Sequence, residues 1–224
     1  MFPYFGRPFK LRTQEDKAAW FMTELARVQP PQTPTEVKLL QHIHCRLIYQ
    51  MKRRIRRQVP SAIHVAFSMP PARTRPERVV LSTSLNLLSV FGSTISGKGP
   101  DRNLKNAQQL QNYNEIADYF PDFRNPIGPH DSVDGANPKM GHCCEDKPWK
   151  ALAGHPNGSQ PIVDPATIYG WSVRAKDLLK LETFDPQAYD QYRMPLCKNC
   201  ELWISATGGN LAHFDTFAKR MVEP

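Results

Sequence analysis

Four cysteines and a glutamate carry the chemistry legible in this sequence. They lie in Gly141-His142-Cys143-Cys144-Glu145 and, much later, in Met194-Pro195-Leu196-Cys197-Lys198-Asn199-Cys200-Glu201. A C-x-x-C turn at a helix start brings two sulfurs to one side. It also aims backbone N–H groups at them, which lowers the thiol pKa and favours the thiolate that zinc requires. One further soft ligand makes a three-ligand site with an open position, the arrangement of a catalytic zinc; four protein ligands make a structural one. Cys143-x-Glu145 can put a sulfur on the metal and a carboxylate beside the water that the metal holds. Zinc brings the pKa of such a water from ~16 to about 7, and the glutamate can take its proton and pass it to a leaving amine. This is equipment for the hydrolytic removal of an exocyclic amino group.

Other arrangements of the same residues stay open. Cys143, Cys144, Cys197 and Cys200 could close a structural zinc, although adjacent cysteines fit poorly on one tetrahedral ion and Glu145 would then be idle. His142 could replace Cys143, at a spacing from Glu145 that is wrong by one residue. Five cysteines without a secretory signal do not make a disulfide framework the default. Cys144 and Cys45 read as small apolar core residues.

The pair of motifs resembles the signature of the cytidine-deaminase-like superfamily, His-or-Cys-x-Glu followed by Pro-Cys-x-x-Cys. With cysteine in first place it is similar to the bacterial polymorphic-toxin deaminases; here Leu196 stands between the proline and the cysteine. The resemblance implies Zn2+ held by Cys143, Cys197 and Cys200, with Glu145 as proton shuttle. It implies conversion of cytosine to uracil in single-stranded DNA or, second, RNA, the base leaving any stack to react. Two rivals stay open: a deaminase of free nucleosides, bases or nucleotides, and a nucleic-acid-binding module with a structural zinc. A toxin domain would also have an immunity protein as partner.

The chain has 224 residues, a formal net charge of +8 and 21 prolines. The charge favours a polyanionic partner such as nucleic acid. Between Lys38 and Arg78 there are ten basic residues against one acid, Glu77, with Lys52, Arg53, Arg54, Arg56 and Arg57 nearly contiguous and placed to meet a phosphate backbone. Trp149, Tyr169 and Trp171 lie near the motifs and could stack on an extruded base. Asn86 and His64 are further candidates for the substrate pocket. No apolar run is long enough for a membrane span, and the first residues lack the pattern of a signal peptide. The expected place of action is the cytoplasm, or a target cell into which the chain is delivered.

The elements that must position these groups can be read coarsely. Residues 13–28 form a helix with Ala18, Trp20, Phe21, Leu25 and Val28 as its apolar surface. Thr33, Pro34 and Glu36 open a second helix, whose stripe is Val37, Leu40, Ile43, Leu47, Ile48, Met51 and Ile55. Two strands follow, 62–69 with Ile63, Val65 and Phe67 on one face, and 78–85. Later come a helix at 143–152, a strand at 167–173 and a short helix from Cys197 to about Trp203. The expected fold is α/β, a three-layer deaminase-like sheet flanked by helices, with the zinc site at helix N-termini and a short or truncated C-terminal end. Residues 1–32 read as a helical extension and 33–224 as the catalytic domain, with a loop-rich insert near 92–140 in which the polar segment containing Leu104, Leu110, Ile116 and Phe120 reads as helical.

Overall fold

The computed structural model describes residues 2–4, 7–9, 14–54, 61–72, 74–83, 100–133, 139–156, 159–216 and 219. Asn86, Arg56 and Arg57 lie outside the described residues, as do the side chains of Lys52, Arg53 and Arg54.

A short hairpin, β1 (Phe2–Tyr4) and β2 (Arg7–Phe9), precedes helices α1 (Gln14–Val28) and α2 (Pro34–Arg54). Strands β3 (Ala62–Ser68) and β4 (Glu77–Thr83) follow, then α3 (Pro100–Tyr119), α4 (Asp146–Ala153) and β5 (Ile168–Arg174). The chain continues through α5 (Ala175–Leu178), α6 (Pro186–Asp190), β6 (Arg193–Met194) and α7 (Lys198–Ala206). The main sheet has the order β4-β3-β5-β6, and its strand pairings are antiparallel. No described helix is long and apolar enough to cross a membrane.

Successive residues of a strand point to opposite faces, and this alternation divides the molecule. Val65, Phe67, Val79, Leu81 and Trp171 pack with Met22 and Ala26 of α1 and Val37 of α2. Ile63 and Val173 join Cys45 and Ile48 on the same side. The other face sends Ala66, Val80 and Ile168 into a core with Ile116 of α3, Phe120 just beyond its end, Trp149 and Leu152 of α4, and Trp203 of α7. Because helices cover both faces, every residue of β3 is buried. Burial of side chains this large stabilises by roughly 1.5–3 kcal/mol each.

The first helix belongs to this core, although residues 1–32 read as an extension. Thr23 Oγ1 accepts from the Leu81 amide at 3.1 Å, which ties α1 to edge strand β4. Its buried surface is Ala18, Ala19, Met22 and Ala26, whereas Phe21 and Val28 are exposed.

Helix α2 starts as its sequence directs: Thr33 Oγ1 accepts from the Glu36 amide, and the Glu36 carboxylate accepts from the Gln32 amide. Its inner stripe is rotated from the apolar one. Val37, Gln41, His44, Cys45 and Ile48 face inward, and Ile43 faces solvent. Gln41 replaces apolar packing with hydrogen bonds, donating to Ile63 O at 2.9 Å and Trp171 O at 3.1 Å and accepting from Tyr189.

Two buried histidines make stability depend on pH. Burial pulls the pKa of His44 and of His64 down to about 3. The unfolded chain takes up these protons first, near pH 6.5, so the stabilisation is complete above that pH and is lost as pH falls toward 3. At pH 5 the two together should cost about 4 kcal/mol relative to pH 8. Urea unfolding followed at both pH values checks this, and His44→Leu should remove about half of the loss.

Within the stretch read as a loop-rich insert, α3 is a 20-residue helix. The polar part of its inward row grips the loop that leads to Cys143. Gln109 donates to Pro129 O and Met140 O, Asn112 to Gly141 O at 2.9 Å, and Tyr113 to Ile127 O at 2.6 Å. Gly141 has φ +88°, and a Cβ there would stand 2.7 Å from Gln109 O. Gly141→Ala should therefore cost about 1–3 kcal/mol and loosen metal binding at Cys143; denaturant titration and chelator competition measure the two effects.

Candidate metal centre

The first motif lies in a turn. Cys143 and Cys144 precede α4, and Glu145 is its N-cap. Cys197 is the N-cap of α7, and Cys200 lies in that helix's first turn. Strand β6 delivers the chain to Cys197, and the Leu196 amide donates to Asp215 O at 2.7 Å, pinning the approach.

The sulfurs of Cys143, Cys197 and Cys200 all lie within 4.8 Å of one another, and those of Cys143 and Cys197 are 3.3 Å apart. Among the described residues no other group of three such donors converges. These sulfurs could bind a metal ion. A tetrahedral site with Zn–S bonds of ~2.3 Å separates its sulfurs by about 3.8 Å, so the cluster fits. The protonation pattern fits as well. Cys197 is pulled down to about 3, first by hydrogen bonds from the Cys143 and Cys200 thiols and then by the backbone N–H groups of Cys200 and Asn199. Cys143 is pushed well up, chiefly by its hydrogen bond to Cys197, and Cys200 by its hydrogen bonds to Cys143 and Cys197. Hydrogen bonds from neighbouring thiols and backbone N–H groups thus favour the thiolate at Cys197, the form that a metal ion binds.

Glu145 stands beside this group rather than within it. The residue is only 6% exposed, with Oε2 at 3.7 Å from Cys200 Sγ and 3.4 Å from Cys144 Sγ. Oε1 accepts from the Ser172 hydroxyl at 2.5 Å. Burial raises the Glu145 pKa, and the charge of Cys197 adds to the rise. Cys143 and Cys197 are half-buried, so the cluster is more open on their side than at Cys200.

Beneath the site a polar row crosses the sheet. Ser82 of β4 and Ser172 of β5 both lie directly opposite His64 of β3. Ser82 donates to Cys144 O, Ser172 to Glu145, and His64 Nδ1 is 2.9 Å from Ser172 Oγ. Sequence reading missed both serines. Period-2 alternation put them on one face with each other only once the register was known.

The remaining candidates divide. His64 is buried under the site and does not line its surface. Cys144 is buried, but its sulfur meets Glu145 and Ser172 rather than purely apolar neighbours. Trp149 is a core residue, its Nε1 donating to Thr207 Oγ1 at 2.8 Å and its ring edge-on to Phe214. Tyr169 and Trp171 require correction as base-stacking candidates. They alternate with Ser172 along β5, so they occupy the opposite face, packed against Phe67. Lys38 Nζ and the Arg193 guanidinium approach the Trp171 ring there, at 5.6 Å and 5.3 Å from its centroid.

No family model, curated protein or solved structure matches this chain.

Proposed function

We propose that the chain is a zinc-dependent hydrolytic deaminase that converts cytosine to uracil in single-stranded nucleic acid, with DNA ahead of RNA. One observation carries the reading: a buried carboxylate 3.7 Å from a sulfur of a three-cysteine cluster whose members come from two distant motifs. The resemblance to the cytidine-deaminase-like superfamily supplies the reaction, and the element order agrees with it. A hairpin (β3-β4) is followed, after the inserted α3, by the helix behind Glu145, a strand (β5) and, beyond two short helices and β6, the helix behind Cys197. The net charge of +8 supports a polyanionic substrate over a free nucleoside.

In this reading Cys143, Cys197 and Cys200 would hold the ion, which when bound would lower the pKa of water and so make a nucleophile available at neutral pH. Glu145 moves the protons. It takes one from the attacking water, gives it to N3 of the ring, then transfers a second to the exocyclic amine. Ammonia leaves, and cytosine plus water becomes uracil. A raised carboxylate pKa suits a group that must both accept and return a proton.

Incubation of the zinc-loaded protein with single-stranded DNA and RNA, followed by sequencing, tests the proposal. C-to-T changes in either strand type, absent with Glu145→Ala, are expected. Deamination of cytidine but not of the oligonucleotides would favour the free-nucleoside rival. No deamination together with four protein ligands on the metal would leave a structural zinc module.

A further inference from the structure

We infer that Ser172, aligned by His64, is a positioning residue that keeps the Glu145 carboxylate beside the cysteine cluster and out of its fourth ligand position. The inference rests on the metal-dependent reaction proposed above. In a tetrahedral zinc site a sulfur and an oxygen ligand are separated by about 3.5 Å. Glu145 Oε2 is 3.7 Å from Cys200 Sγ. A carboxylate is itself a good zinc ligand, so a small swing of this side chain would close the site and turn a catalytic arrangement into a structural one.

The restraint is on the other oxygen. Ser172 Oγ is 2.5 Å from Glu145 Oε1, and Ser172 sits in β5, flanked on both sides by paired strands and only 3% exposed. A hydrogen bond to a carboxylate is charge-assisted and stronger than one between neutral groups. The Cys144 thiol also touches Oε2, but a thiol is a weak donor.

A serine hydroxyl has one hydrogen, and its direction must be set. Ser172 Oγ has three polar neighbours: Glu145 Oε1, His64 Nδ1 and the Cys144 sulfur. Ser172 gives its hydrogen to Glu145 Oε1. His64 therefore donates through Nδ1–H to Ser172, which removes the competing acceptor and leaves the hydroxyl hydrogen for Glu145. Burial keeps the ring neutral, and neutral imidazole carries a single N–H that can sit on Nδ1. The ring has room because residue 170 is glycine; a Cβ there would stand 2.8 Å from His64 Cε1 and Nε2. His64 thus acts through Ser172, and Ser172 through Glu145.

Cobalt substitution reads this directly, apart from turnover. Co(II) in the cluster gives thiolate charge-transfer and d–d bands that change when azide enters an open position. In the wild type azide should shift these bands. In Ser172→Ala the freed carboxylate should occupy that position and weaken the azide response at least ~10-fold. In Ser172→Ala/Glu145→Gln the response should return, because a neutral amide is a poor ligand; a merely structural role for Ser172 would not produce that recovery. His64→Asn places an amide N–H where Nδ1–H stood and should behave as wild type, whereas His64→Leu should behave as Ser172→Ala. His64→Leu carries the same test if Ser172→Ala does not fold. An azide response in Ser172→Ala and His64→Leu equal to wild type overturns the inference and leaves the deaminase reading standing. A wild type without any azide response overturns both, because the fourth position would already be filled.

Discussion

Glu145→Gln should leave the protein folded and metal-loaded and lower uracil formation by about 10²–10⁴-fold, the usual worth of a positioned general acid–base. Glutamine keeps the shape of the side chain, and its amide oxygen can still accept from the Ser172 hydroxyl that now meets Oε1. It cannot carry a proton from water to the ring. The substitution also removes a buried negative group whose pKa is raised first by burial and then by the charge of Cys197, so the fold loses no favourable ionic contact there. Metal content measured beside the rate separates chemistry from binding. Unchanged metal with a wild-type rate would remove Glu145 from the mechanism, and the deaminase reading with it.

The cluster was legible because its signal is local. C-x-x-C spacing and a carboxylate two residues after a cysteine are properties of single turns, and the structure brings the three sulfurs within 4.8 Å of one another. What surrounds the cluster was not legible, because it depends on register. His64, Ser82 and Ser172 become one row only when β3 is aligned with β4 and β5. The same alternation decides the aromatics. Once Ser172 faces Glu145, Tyr169 and Trp171 must face away, whatever their proximity to the motifs in sequence. Buried polar groups misled the helix reading in a related way. Apolar periodicity puts Ile43 in the inner stripe of α2, although it is exposed, and omits Gln41 and His44, which are buried. Helix α3 is legible from Leu104, Leu110 and Ile116, but the reason for its polar character is not: Gln109 and Asn112 of its inner row satisfy loop carbonyls instead of filling an apolar core.

Cys200→Ser and Cys144→Ser should separate sharply, although both sulfurs are buried and both touch Glu145. Cys200 belongs to the converging group; Cys144 instead meets Ser172 and the carboxylate. A serine hydroxyl is a poor substitute for a thiolate on a soft ion, so Cys200→Ser should lower metal affinity by more than ~100-fold, beyond the usual effect of losing an outer-shell partner. That shift corresponds to about 2.7 kcal/mol of metal-linked stabilisation, visible as a smaller rise in thermal stability when zinc is added. Cys144→Ser changes a weak donor beside Glu145 and should leave affinity within a few-fold of wild type. Competition against a chromophoric chelator measures both. Equal losses in the two variants would mean four sulfurs share the ion, and the structural-zinc module would then be the better account of the protein.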